Sequence, residues 1–286
     1  KAGSGDGNPG SGNPGSGNPG NGNPGNGNPG NGPSPHDQLS IPVTEYITVN
    51  AAIDKKGHGT AVISEKAVAD AIKEGLSAAK EQGKTGNGIE IAIEVKTPDT
   101  GKSMSIVLSE SSLSKIIQNN VQKLKVDGHL VSLQFDKKAI QEIKRQSTGN
   151  VSINIKPAKK LSKEAKSLIK DGKAFDIGIT YVKNKKTRSI TELGGGNVSI
   201  NIPYTLKKGE AAGKLFGAYV NDNGKVRQIA NSTYESNTSG VIFTTSNLMV
   251  YGVVYEKKEN LFKDIETHPA KESIDFVASR NILSSE

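Results

Sequence analysis

Cysteine and tryptophan are absent from this 286-residue chain, methionine occurs twice, and aromatic residues make up only 5% of it. Without cysteine there is neither a disulfide framework nor a thiolate metal site. No apolar run approaches the roughly 18–20 residues of a membrane span, so no membrane insertion is expected. The four histidines, His36, His58, His129 and His268, are scattered, and none has a neighbour at metal-ligand spacing. No G-x-S-x-G elbow marks a nucleophile, and carboxylate or Ser-His-Asp constellations converge only in a fold. Thr100-Gly101-Lys102-Ser103 resembles the end of a phosphate-binding loop, but its first glycine would fall at Lys96. That turn also joins two strands rather than a strand and a helix. No catalytic residue, metal site or cofactor is assigned, and the segment is read as non-enzymatic.

What the chain has in abundance is glycine, asparagine and proline at its head. Gly7 to Asn31 is five tandem copies of Gly-Asn-Pro-Gly followed by Ser or Asn. Nothing in it can bury, and glycine adds unfolded-state entropy that no contact offsets. Residues 1–40 are therefore expected to be a disordered linker, stiffened by a proline every fifth residue. The period of five excludes collagen. The chain opens on Lys1 with no signal peptide, and it reads as a fragment of something longer.

Beyond the linker, helical and strand periodicities alternate. Ile41 to Ile53 reads as a strand and Gly57-His58-Gly59 as a turn. Ser64 caps a helix whose apolar face is Val68, Ala71, Ile72, Leu76 and Ala79. Ile89 to Val95 and Met104 to Leu108 read as two strands joined by a turn at Pro98 to Gly101. Ser109 caps a helix through Leu113 and Ile116, Leu124 to Phe135 reads as a hairpin, and Asp136 caps a helix through Ala139, Ile140 and Ile143. A fourth helical piece follows Ser162. Phe175 to Val182, Ser189 to Leu193, Val198 to Ile202, the Leu215 to Ile229 hairpin and a final pair, Val241 to Thr245 with Leu248 to Tyr255, read as strands. Ile274, Val277 and Ala278 mark a short terminal helix. The expected class is α+β: helices packed on antiparallel strands over 41–188, then a small antiparallel β unit over 189–256. The two are either separate or parts of one domain. GNVSINI occurs twice, at Gly149 to Ile155 and Gly196 to Ile202, with Val, Ile and Ile on one strand face and Ser and Asn on the other.

The chain carries a formal net charge of +8, and Val121 to Ile190 alone holds 17 Lys and Arg against 6 Asp and Glu, a net +11. Lys156, Lys159, Lys160, Lys163 and Lys166 are its densest part and would attract polyanions at low salt. The basic run lacks interleaved aromatics, so no nucleic-acid partner is expected. Tyr204, Tyr219, Tyr234, Tyr251 and Tyr255 could in principle form a sugar-binding surface, although strand tyrosines more often pack with a wet hydroxyl.

The last stretch places Phe262 and Asp264 before His268, Ala270 and the apolar Ile274. It resembles the opening half of an S-layer homology repeat, whose pattern runs F-x-D-V, then H-W-A, then an apolar helix. Pro269 stands where that family usually has Trp; a proline can still open a helix. The stretch ELGGGNVSINIPY, followed by LFGAYVNDNGKVRQI and VIFTTSNLMVYGVVY, resembles a module often placed just before such repeats in surface proteins of clostridia and related bacteria. Residues 257–286 would then begin the repeat, and its I-T-R-A-E ligand motif would lie beyond Glu286, so no binding residue is carried over. The resemblance implies an extracellular, wall-associated segment that spaces and tethers an upstream protein. The grip would be on an anionic secondary cell-wall polysaccharide. Alternatives are the rear part of a polysaccharide-degrading enzyme, or a polyanion- or carbohydrate-binding module.

Overall fold

The structure is a computed structural model, and it describes residues 41–97, 101–256, 262, 264–265, 267–280 and 282. The repeat linker, the turn at 98–100 and residues 257–261 lie outside the described residues.

The chain opens with β1 (Val43–Asn50), β2 (Ala52–Ile53) and β3 (His58–Ile63), then α1 (Glu65–Glu81), β4 (Ile89–Lys96) and β5 (Ser103–Leu108). It continues through α2 (Glu110–Gln118), β6 (Val121–Asp127), β7 (Ser132–Asp136), α3 (Lys137–Gln146), β8 (Val151–Pro157) and the short α4 (Lys163–Leu168). From there strands predominate: β9 (Ile169–Lys183), β10 (Lys186–Ile190), β11 (Val198–Pro203), β12 (Leu215–Val220), β13 (Val226–Gln228), β14 (Thr233–Glu235), β15 (Gly240–Thr245) and β16 (Val250–Tyr255). The terminal α5 (Lys271–Ser279) closes the described chain. The class is mixed α+β, dominated by strands.

Two sheets are formed. One has seven strands in the order β1-β4-β6-β7-β11-β15-β14; the other has nine, in the order β13-β12-β16-β9-β8-β5-β3-β2 with β10 against β9. Their inner faces share one core, in which Ile89, Ile91, Ile93, Val198 and Ile200 of the first meet Met104, Ile106, Leu108, Val151 and Ile153 of the second. The sheets approach closely where Gly217 of β12 lies against the Phe243 ring of β15; a Cβ there would fall 2.1 Å from that ring. α1 packs on β1 and β4, α3 on β6 and β7, and α2 between the two helices.

Four helices start in the same way. Ser64, Ser109, Asp136 and Ser162 each accept a hydrogen bond from the backbone N–H three residues on, which satisfies one of the donors a helix start leaves open. In the first three cases the cap directly follows a strand, so one sharp turn converts the period from two to 3.6 and carries the chain from one sheet to the other.

That switching corrects the expected all-antiparallel pairing. β1 with β4, β4 with β6, and β3 with β5 run parallel. β3 and β5 both end at a helix start, and β4 and β6 both follow a helix end, so the helices serve as the long crossovers that parallel neighbours require. β4 and β5 therefore lie in different sheets, as do β15 and β16, although each pair is adjacent in sequence. The expected turn at 57–59 sits earlier: Gly57, at φ 79°, donates to Asp54 O, and β3 begins at His58. β11, from beyond residue 188, is inserted between β7 and β15, so both stretches of the chain contribute to the same sheet.

Asp136 ties this arrangement together. Its Oδ1 caps α3 through Ala139 N–H at 2.7 Å, and its Oδ2 accepts from the backbone N–H and side-chain amide of Asn197 at 3.0 and 3.2 Å. Asp136→Ala is expected to cost about 2 kcal/mol, read as a lower urea midpoint with unchanged m-value. Asp136→Asn should recover part of it.

Candidate functional site

The terminal segment lies against the sandwich. α5 begins without a side-chain cap; instead His268 Nδ1 accepts from Ala270 N–H at 3.1 Å, and His268 N–H bonds to Ile265 O in a tight turn. Ile265 is buried and Phe262 half-buried, while Asp264 and His268 are exposed; Ala270 and Ile274 are half-buried along the helix. The expected motif positions Phe262, Asp264, His268, Ala270 and Ile274 are thus a turn and a helix start on the module's flank.

What fixes the helix there is Arg280, a residue the sequence reading passed over, only 8% exposed. Its guanidinium donates to the carbonyls of Ser232 at 2.7 Å, Gly213 at 2.7 Å and Leu215 at 3.2 Å, and it lies 3.6 Å from the Phe276 ring centre and 4.3 Å from that of Phe216. Burial draws its pKa down to about 10, so it stays charged at neutral pH. With Phe276 O at 3.1 Å it meets four carbonyls, and a planar fork held between two rings and those acceptors suits Arg. Ser279 Oγ adds a bond to Gly213 O at 3.1 Å. The signal in the sequence was Arg four residues after Phe276 at a helix end, but its target carbonyls are more than forty residues away.

The basic cluster falls on the end of β8 and on α4. Lys156 pairs with Asp176 at 3.1 Å, across the β8–β9 ladder. Lys159 and Lys160 are exposed in the link to α4, and Lys163 and Lys166 are exposed on it. The structure therefore gathers four of the five along one short path, on a small cluster of Ala165, Ile169, Phe216 and Val254.

The tyrosines do not form an exposed surface. Tyr251 is buried, donates to Asn247 O at 2.6 Å, and is raised to about 12 by burial. Tyr204 is buried and donates to Glu210 at 2.6 Å; burial and that carboxylate push its pKa upward. Tyr219, Tyr234 and Tyr255 pack half-buried against the core. The exposed tyrosine is Tyr46, 60% accessible on β1. Glu210 also accepts from Lys170 Nζ at 2.6 Å and from Lys207 N–H at 3.1 Å, and Lys207 in turn pairs with Asp171. Burial would raise the Glu210 carboxyl, but Lys170, Tyr204 and the Lys207 amide together hold it below the usual carboxylate range.

A concave feature lies elsewhere, on the outer face of the seven-stranded sheet. The β6–β7 turn and the β14–β15 turn stand at the same sheet end, on either side of the β11 exit. Between them is a cleft of about 480 Å³ floored by Gln134, Ser199, Asn201 and Ile242, with Lys125, Asp127 and His129 on one wall and Glu235 and Thr238 on the other. Lys125 pairs with Asp127 at 3.0 Å. Burial works against Asp127, but bonds from Ser132 and Lys125 hold its carboxyl below the ordinary value. His129 is braced by Thr97 Oγ1 at 2.5 Å and Gly101 O at 2.8 Å. Sequence reasoning missed this cleft because its floor comes from three strands, with Gln134 and Ser199 about 65 positions apart and Asn201 and Ile242 about 41.

No family model, curated protein or solved structure matches the chain.

Two outcomes follow from these contacts. Arg280→Met should release α5, so that limited proteolysis cuts near residue 270 at rates well above those of the parent chain, while the sandwich keeps its circular dichroism spectrum. Because Glu210 has a lowered folded pKa, its contribution is present above the unfolded carboxylate range and is lost as pH falls through the folded value. The Tm difference between the parent and Glu210→Gln should therefore be largest at neutral pH and shrink below about pH 4.

Proposed function

We propose that this segment is a non-catalytic spacer of the cell envelope, which sets an extracellular protein at a distance from the wall and passes it to an anchoring region of the S-layer homology type. The observation that carries the reading is where the chain enters and leaves. β1 is one edge strand of the seven-stranded sheet, and the Arg280 lock seats α5 on Ser232, beside β14 at the opposite edge. Six strand intervals of about 4.8 Å separate those edges, roughly 30 Å across a sheet that cannot shorten. In this reading the upstream protein would precede the first edge strand in the chain, and the anchoring region would follow α5. Such an arrangement raises the local concentration of whatever lies upstream without contributing chemistry.

The partner in this reading is an anionic secondary cell-wall polysaccharide bound by the anchoring region, in an extracellular, wall-associated setting. The exposed Lys159, Lys160, Lys163 and Lys166 supply an additional weak, salt-sensitive attraction to that polymer.

The test is to read the coding frame beyond Glu286 and to assay the chain it encodes. Continuation into repeats bearing the I-T-R-A-E motif, and co-sedimentation with purified wall sacculi that is lost on truncation after Tyr255, is the expected outcome. A frame that closes within a few codons, or sacculus binding that survives the truncation, would sink the anchor reading.

A further inference from the structure

The two copies of GNVSINI offer an internal comparison. The first lies in β8 of the nine-stranded sheet and the second in β11 of the seven-stranded sheet. Several of their cross-strand neighbours correspond, although Asn154 stands opposite Gly178 where Asn201 stands opposite Ile242. Asn154 faces Ser105 and Asn201 faces Ser132 across one ladder; Ser152 faces Thr180 and Ser199 faces Thr244 across the other. Val151 and Val198 stand opposite Leu108 and Phe135, each the last apolar residue before a helix cap. In both copies Ser and Asn point away from the shared core.

Their hydrogen bonding differs. Asn154 is fully engaged: its Oδ1 accepts from Ser105 Oγ at 2.6 Å, and its Nδ2 donates to Ser152 O at 2.9 Å and to Thr180 Oγ1 at 3.0 Å. At the second copy the corresponding serine has been drawn away, because Ser132 Oγ donates to Asp127 at 2.5 Å. Asn201 Oδ1 is left buried and without a partner among the described residues. Gly240, two residues along β15 from the facing Ile242, leaves room for that amide; a Cβ there would come within 1.9 Å of its oxygen. A buried amide oxygen without a partner costs on the order of the lost bond, and it is uncommon in folded chains. Asn201 lines the floor of the cleft between the β6–β7 and β14–β15 turns, whose volume falls in the range of small-molecule sites, roughly 300–1,000 Å³.

We propose that this cleft binds an uncharged glycan, with the Asn201 amide and the Ser199 hydroxyl as its central contacts. The chemistry of the lining selects this class. Hydroxyls and amides offer paired donors and acceptors to vicinal hydroxyl or acetamido groups, while Pro203 and Ile242 offer an apolar strip to a sugar ring's C–H face. The lining disfavours an anionic polymer, because the charge of Lys125 is already met by Asp127 and Glu235 adds a further negative charge. This site is separate from the terminal anchoring segment and does not depend on it.

Ligand-observed saturation-transfer NMR on the intact chain tests the proposal, with chitohexaose and cellohexaose as uncharged probes and heparin as the polyanion. Saturation transfer to at least one uncharged probe is expected, and preference between the two reports whether an acetamido group is read. Asn201→Ala should weaken that signal at least about tenfold while leaving Tm unchanged or raised, since a buried unpartnered oxygen is removed. Asn154→Ala, at the matched position in the other sheet, should lower Tm and leave glycan binding intact. Transfer to heparin alone, no transfer to either uncharged probe, or an Asn201→Ala variant that loses Tm as Asn154→Ala does would each overturn it.

Discussion

The structure depends on one constraint: two sheets bury their inner faces in a single apolar layer, so each strand that contributes to it must present its alternate residues to the outside. Isoleucine and valine fill the layer because a β-branched side chain suits a pleated, half-buried surface. The residues left over are Ser, Thr, Asn, Gln, Lys and Glu, and they pave both outer faces. The polar face that carries the cleft is therefore produced by the same pleat that makes the core. Function on this scaffold can be written on one parity of positions without disturbing the other.

The helices were legible in the sequence because each carries its own local signal. Ser64, Ser109, Asp136 and Ser162 stand at the junction where period two becomes 3.6, and the capping bonds lie within three residues. Strand faces were legible as well, from the alternation in Val198 to Ile202 and Phe175 to Val182. Strand neighbours were not. The pleat says which way a side chain points and is silent about which strand lies beside it, so β4 and β5, or β15 and β16, read as partners although they lie in different sheets.

The site residues follow the same division. The basic run at Lys159 to Lys166 was visible because it is contiguous. Arg280 was not, because its value comes from the Ser232, Gly213 and Leu215 carbonyls, and a lone terminal arginine looks like any exposed charge. The repeated Ser-x-Asn was visible as a repeat, yet its significance came only with the neighbours: Asp127, next to the β6–β7 turn, takes the serine that would otherwise hold Asn201.

The insertion of β11 between β7 and β15, and of β16 between β9 and β12, bears on how the chain reaches this state. Neither sheet is complete until its latest strand, β15 or β16, is present, and the β1–β4 and β9–β16 ladders join segments about 46 to 85 positions apart. Such long-range pairing must meet its loop-closure entropy before any core forms, which places the molecule among slow folders. A chain emerging from a ribosome or a translocation pore can pair β1 to β8 among themselves, since those ladders lie wholly within residues 43–157. What must wait is the covering of two open edges, β7 and β8, by β11 and β9.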